Sequence, residues 1–136
     1  MKIPIVLIVD DDNFYRKIFS EIFGEKGVRT FTAADGNEGY ASYRKVAPDL
    51  VLLDRIMPDS GGTRFLMDVQ NQGNRKQAIL MIYSRTLQEK GSDFRKGDQV
   101  PEGFSEMYYV SKSTPPEVLV KRAMTLLKSD GSNDTE

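Results

Sequence analysis

The chain has 136 residues, of which 39% are hydrophobic and 29% charged, and a formal net charge of −1. That length supports one domain around one core, and the balanced charge gives nucleic acid or an acidic membrane no electrostatic hold. Cysteine and histidine are both absent, which excludes disulfides, structural zinc, thiol nucleophiles and imidazole bases; a bound metal must use oxygen ligands, as magnesium, calcium or manganese do.

The first apolar run, IPIVLIV at 3–9, leads directly into Asp10, Asp11 and Asp12. It is far shorter than the roughly 20 apolar residues of a membrane span and is followed by aspartates, not by a signal cleavage site, so a cytoplasmic protein is expected. The spacing of Phe14, Ile18 and Ile22, with Phe19 and Phe23 beside them, predicts a helix capped by Asn13 and ended by Gly24 or Gly27. VRTFTA at 28–33 predicts a strand. DGNEGYASYRKVAPD predicts a second helix with Tyr40, Tyr43 and Val46 on one side and Pro48 as its stop. DLVLLD at 49–54 is a third strand, GGTRFLMDVQNQG a third helix packed through Phe65, Leu66 and Val69, and AILMIYS at 78–84 a fourth strand.

The next segment, RTLQEKGSDFRKGDQVPEGFSE, carries Gly91, Gly97, Pro101 and Gly103 and few apolar residues. A fourth helix there is expected to be short, distorted or mobile. MYYV at 107–110 predicts a fifth strand. Thr114, Pro115 and Glu117 then read as a capping box opening the last helix, with Val118, Leu119, Arg122, Leu126 and Leu127 following. One domain over residues 1–128 and a disordered tail at 129–136 are expected.

Near-continuous apolar strands alternating with helices predict an α/β fold, with a parallel sheet covered on both faces and right-handed crossovers. In such sheets the site forms beyond the carboxyl ends of the strands. The residues standing there are Asp10 and Asp11 after the first strand, Asp54 at the end of the third, Ser84 at the end of the fourth, and Lys112 after the fifth. If the first and third strands are neighbours, three carboxylates converge, and the cluster repels itself unless a cation or a proton enters it. Few hard oxygen ligands without a surrounding cage suit Mg2+. Taken alone, Asp10 to Asp12 also read as helix-start charge, and Asp12 is expected to be solvated. An EF-hand loop counted from Asp10 fails at Phe14 and Tyr15, no P-loop motif is present, and Ser84 as a nucleophile lacks a histidine partner.

Together VDDD closing the first strand, AADG from Ala33, LLDRIMPDSGG from Leu52, YS closing the fourth strand and YVSK after the fifth resemble the receiver domain of two-component response regulators, over about residues 3–128. The resemblance implies a flavodoxin-like doubly wound (βα)5 fold with a five-stranded parallel sheet in the order 2-1-3-4-5. It implies that Asp54 accepts a phosphoryl group from a sensor histidine kinase or phosphotransfer protein, and that the domain is a signalling switch, not a turnover enzyme. Asp11 would then ligate Mg2+ directly, Asp10 through water, and Asp54 and the Ile56 carbonyl would complete the protein ligands. Lys112 and Ser84 would neutralise and bind the phosphoryl oxygens. Tyr109 stands at the aromatic switch of a face built from the fourth helix, fifth strand and fifth helix.

Ser113 replaces the proline usual after that lysine, Arg85 replaces a small residue, and the segment from Ser84 to Lys112 is unusually long, so an altered output face is expected. Two rivals are weighed against this reading. A haloacid dehalogenase-like phosphatase would use Asp10 and Asp12 but fails at Phe14 and leaves Asp54 unexplained. A receiver-like module that binds partners without phosphorylation leaves the complete set of Asp10, Asp11, Asp54, Ser84 and Lys112 without a purpose.

Overall fold

The structure is a computed structural model that describes residues 2–72, 76–84 and 94–131. Strands β1 (Ile5–Val9), β2 (Arg29–Ala33), β3 (Leu50–Asp54), β4 (Ala78–Ser84), β5 (Phe94–Lys96) and β6 (Phe104–Ser111) form one sheet. Helices α1 (Asn13–Glu25), α2 (Gly36–Val46), α3 (Gly61–Asn71) and α4 (Pro116–Gly131) cover it, and a short 3-10 turn spans Pro58–Ser60. The order is β2-β1-β3-β4-β6-β5. The five parallel strands therefore stand in the order 2-1-3-4-5 expected of a flavodoxin-like fold, with β6 as the fifth.

The sheet has a sixth member that the sequence reading did not anticipate. Phe94, Arg95 and Lys96 pair antiparallel with Val110, Tyr109 and Tyr108 at the sheet edge. Among the described residues no helix lies between β4 and β6, so part of the segment expected to hold a distorted helix is a strand. The reason is local: FRK sits directly before Gly97, whose lack of a side chain lets the chain pass close over Met107 and Tyr109. Arg85 and Gly91 lie outside the described residues.

Side chains alternate across each strand, and the alternation divides the core in two. Val6, Ile8, Leu50, Leu52, Met81, Tyr83 and Val110 face Phe19 and Phe23 of α1 and Leu119, Val120, Ala123 and Leu127 of α4. Leu7, Val9, Val51, Leu53, Leu80 and Ile82 face Tyr43 of α2 and Phe65 and Val69 of α3. Every residue from Val6 to Val9 and from Leu50 to Asp54 is buried, which is why these runs lack the polar alternation of a one-sided sheet.

Helix starts differ from expectation by a residue or two. Asp12, not Asn13, caps α1, its side chain accepting from the Phe14 N–H, so the helix-start charge expected at Asp12 also serves as the cap. Phe14 consequently turns outward and is 61% exposed, while Tyr15 packs against the core in its place. The expected capping box at Thr114 does not form. α4 begins at Pro116, Val118 is exposed, and Thr114 Oγ1 is buried with no hydrogen-bond partner. The two prolines at 115 and 116 push the helix start downstream. α4 also runs through Gly131, so the first three residues of the expected tail are helical.

Helices α2 and α3 meet backbone to backbone. A Cβ on Gly36 would stand well inside the van der Waals contact distance of the Gly61 carbonyl oxygen, and one on Gly39 would stand 3.1 Å from Val9 and Phe65. Gly24, by contrast, has nothing within 4 Å of such an atom. Urea denaturation should therefore show opposite signs: Gly36→Ala destabilises the fold by about 1–3 kcal/mol through overpacking, whereas Gly24→Ala stabilises it by up to about 1 kcal/mol through helix propensity. Equal effects at both positions would refute the close approach of the two helices.

Candidate functional site

β1 and β3 are neighbours, with Val9 opposite Leu53, so the two strands release Asp10 and Asp54 side by side at one edge of the sheet. Parity then fixes direction. Asp10 follows Ile8, Asp54 follows Leu52 and Lys112 follows Val110 by two residues, so all three side chains leave the sheet on the α1/α4 face. One carboxylate oxygen from each of Asp10, Asp11 and Asp54 lies within 4.8 Å of the others. Asp10 is fully buried and Asp54 nearly so, while Asp11 is exposed at the rim. Lys112 Nζ stands 3.3 Å from Asp54 Oδ2 and 3.5 Å from Asp10 Oδ2, with its side chain only 6% exposed.

Each member is held by its surroundings. The Asp10 N–H donates to the Ala33 carbonyl, and Arg16 Nη1 donates to the Asp10 carbonyl at 2.7 Å, tying the strand end to β2 and α1. Asp10 Oδ1 accepts from the Asp12 N–H at 2.9 Å, and Oδ2 accepts from the Tyr83 hydroxyl. Asp54 Oδ1 accepts from the Ile56 N–H at 3.3 Å. The ammonium of Lys112 lies 4.4 Å from the Tyr15 ring and 4.9 Å from the Tyr83 ring, both favourable for a cation. Hydroxyls shape the loop behind Lys112: Ser111 and Ser113 Oγ are 2.7 Å apart, and the Ser113 N–H donates to Ser111 Oγ at 3.1 Å.

Burial raises the Asp54 carboxyl, the charge of Asp10 raises it further, and Lys112 lowers it; the outcome is a pKa pushed up to about 7. Two buried carboxylates share one ammonium, so the pocket is short of positive charge. Burial, followed by the charge of Asp10, also holds the Tyr83 hydroxyl protonated well above the usual phenol range. The donor set is all oxygen, closely spaced and under-neutralised, which is what a small divalent cation fits.

Of the expected site residues, Asp10, Asp11, Asp54 and Lys112 are brought together. Ile56 lies in the loop after β3 with an exposed side chain, and Ser84 ends β4 opposite Ser111, its side chain outside the description. Tyr109 lies on β6, half-buried, with the Arg95 guanidinium 4.6 Å from its ring centre. Sequence reading missed Tyr83, Tyr15 and Arg16. The available signal for Tyr83 was its place one residue before the end of β4, directly opposite Asp54.

The sequence matches the response regulator receiver domain family over residues 6–123. It is 36% identical over 76 residues to sporulation initiation phosphotransferase F of Bacillus subtilis, covering 56% of this chain and 61% of that protein. It is 26% identical over 92 residues to the regulator of RpoS of Escherichia coli K12, covering 68% of this chain and 27% of that protein. The chain thus spans less than two thirds of the length of these curated relatives. Among solved structures, chemotaxis protein CheY4 of Vibrio cholerae superposes with a TM-score of 0.69 at 25% identity, covering 91% of this chain and 98% of that one. CheY in the CheX–CheY–BeF3–Mg2+ complex of Borrelia burgdorferi does so with a TM-score of 0.68 at 28% identity, over 90% of this chain and 87% of that one. Receiver domains generally bind Mg2+ at an acidic cluster and interact with histidine kinases or phosphotransfer proteins.

The raised Asp54 pKa has a definite sign. The metal-free folded protein keeps a proton that the unfolded chain releases near the ordinary aspartate value of 3.8, so folding stability falls as pH rises from about 4 to about 7 and then levels off. Asp54→Asn should abolish that slope and, in EDTA at pH 8, exceed the wild type by about 2 kcal/mol. Urea melts of both proteins at pH 5 and pH 8 provide the measurement, and parallel pH profiles would contradict the burial of a charged Asp54.

Proposed function

This chain belongs to the receiver domains of two-component response regulators, and from that premise we propose that it is a phosphoacceptor whose reactive residue is Asp54. The supporting observation is the meeting of Asp10, Asp11 and Asp54 with Lys112 at the carboxyl edge of the parallel sheet. Phosphoryl transfer needs positioning and charge neutralisation more than an added base, and this pocket supplies both.

In the proposed reaction an Asp54 carboxylate oxygen attacks the phosphorus of a phosphohistidine on a sensor kinase or phosphotransfer protein. The new P–O bond forms as the P–N bond breaks, and the donor imidazole leaves with the bonding pair. Lys112, already 3.3 Å from Asp54 Oδ2, neutralises a phosphoryl oxygen, and Ser84 donates its hydroxyl to another. Asp11, Asp54 and the Ile56 carbonyl would hold Mg2+, and Asp10 would do so through water. When bound, Mg2+ supplies the positive charge that Lys112 alone cannot, and it keeps Asp54 ionised at neutral pH. The missing histidine is no obstacle, because that residue belongs to the donor.

The switch proposed for Tyr109 lies on a face that includes β5, β6 and α4, because β5 pairs with β6 at the sheet edge. Cytoplasmic signalling fits a chain in which no helix among the described residues is long and apolar enough to cross a membrane.

Intact-protein mass spectrometry after incubation with acetyl phosphate tests the reading. We expect a gain of about 80 Da that requires Mg2+ and disappears in Asp54→Ala, as formation of an aspartyl phosphate demands. A folded protein that gains no mass would favour the module that binds partners without phosphorylation.

A further inference from the structure

Asp10 is held at both oxygens, by the Asp12 N–H at Oδ1 and by the Tyr83 hydroxyl at Oδ2. Tyr83 has no freedom to turn away. It is fully buried, its ring packs edge-on against Phe19 at 5.5 Å and Tyr15 at 6.0 Å, and its carbonyl accepts from the Arg55 N–H at 3.0 Å. Any buried phenol needs a hydrogen-bond acceptor, and a backbone carbonyl would serve. Here the acceptor is the one fully buried carboxylate of a cluster in which a single ammonium, that of Lys112, is shared by two buried carboxylates.

We infer that Tyr83 is a positioning residue of the phosphorylation site, whose hydroxyl stands in for the divalent cation at Asp10 whenever that cation is absent. The inference rests on the reading of the pocket as a Mg2+ site. A hydroxyl aimed at a carboxylate offers a partial positive charge, and the bond is strongest while the carboxylate is uncompensated. A cation draws electron density from Asp10, directly or through water, and makes it a poorer acceptor. Linkage then requires the converse: the hydroxyl weakens Mg2+ binding by the factor by which Mg2+ weakens the hydrogen bond. The cost of Tyr83 is lower metal affinity, and its effect is a pocket already assembled before metal arrives. Its ring also lies 4.9 Å from the Lys112 ammonium, a contact that phenylalanine keeps, so Tyr83→Phe isolates the hydroxyl.

The experiment is a calorimetric Mg2+ titration of the wild type, Tyr83→Phe, Asp10→Asn and the double variant, with thermal melts in EDTA and in Mg2+. We expect Tyr83→Phe to bind Mg2+ about tenfold more tightly, the scale set by one hydrogen bond to a charged group. Its melting midpoint should drop in EDTA and recover more on adding Mg2+ than that of the wild type. In the Asp10→Asn background the same substitution should leave Mg2+ affinity unchanged.

The unmodified protein gives a second readout, since the chain has no tryptophan and its near-ultraviolet spectrum is dominated by tyrosine. Mg2+ should produce a tyrosine difference spectrum that Tyr83→Phe loses. Equal or weaker Mg2+ affinity in Tyr83→Phe, or Mg2+ binding to the wild type without a tyrosine signal, would overturn the role of Tyr83 alone. A wild-type protein that binds no Mg2+ would overturn the reading of the pocket itself.

Discussion

Two carboxylates buried beside a single ammonium dominate the architecture of this domain. Asp10 and Asp54 are almost wholly removed from water, and their mutual repulsion is met by Lys112 at 3.3–3.5 Å and by the Tyr83 hydroxyl. An isolated buried charge would cost several kcal/mol, and an apolar substitute would pack more cheaply. The arrangement is therefore not explained by stability. Its surroundings act to keep the strained cluster in one geometry: Arg16 and Asp12 fix the end of β1, Ile56 orients Asp54, and two aromatic rings flank the lysine.

The contrast between the two ends of β3 shows how position decides the role of an aspartate. Asp49, just before the strand, accepts the Ile5 N–H at 2.8 Å and pairs with Lys76 at 2.6 Å. Its carboxylate closes the amino edge of the sheet with one donor per oxygen and a partly exposed partner, so no charge is left over. Asp54, five residues on, has the same side chain but two like-charged neighbours and one shared cation. Parallel strands place all their carboxyl ends together, so whatever charge the strand ends carry must accumulate at that edge. The chemistry is a consequence of the topology as much as of the residues.

Much of this was legible in the sequence because two signals agreed. Near-continuous apolar runs marked the parallel strands, and acidic residues or lysine stood where those runs stopped. Residues whose role depends on register were harder to read. Tyr83 looks like one more core aromatic until β4 is set beside β3, when its hydroxyl falls on the same face as Asp10. Asn13 looked like the cap of α1 because the helix start was placed one residue late, and Phe14 was placed on the wrong side. β5 was invisible for another reason. Three residues, two of them charged, carry no period, and only pairing with β6 makes them a strand.

β5 also constrains how any change at the pocket can leave it. Consecutive side chains of β6 point to opposite faces, and β5 contacts both. Phe94 stacks on Tyr108 with ring centres 5.2 Å apart, and Arg95 lies 4.6 Å from the ring centre of Tyr109. Arg122 of α4 sits 4.8 Å from the Phe94 ring centre, so the same short strand is linked to the last helix. Tyr109 therefore cannot rotate without giving up its guanidinium, and Tyr108 cannot shift without moving Phe94. A strand with three paired residues among those described, at the edge of the sheet, is inexpensive to displace compared with a packed helix. Lys112, just past the end of β6, is thus joined to the outer edge of the sheet through the strand with the fewest paired residues among those described.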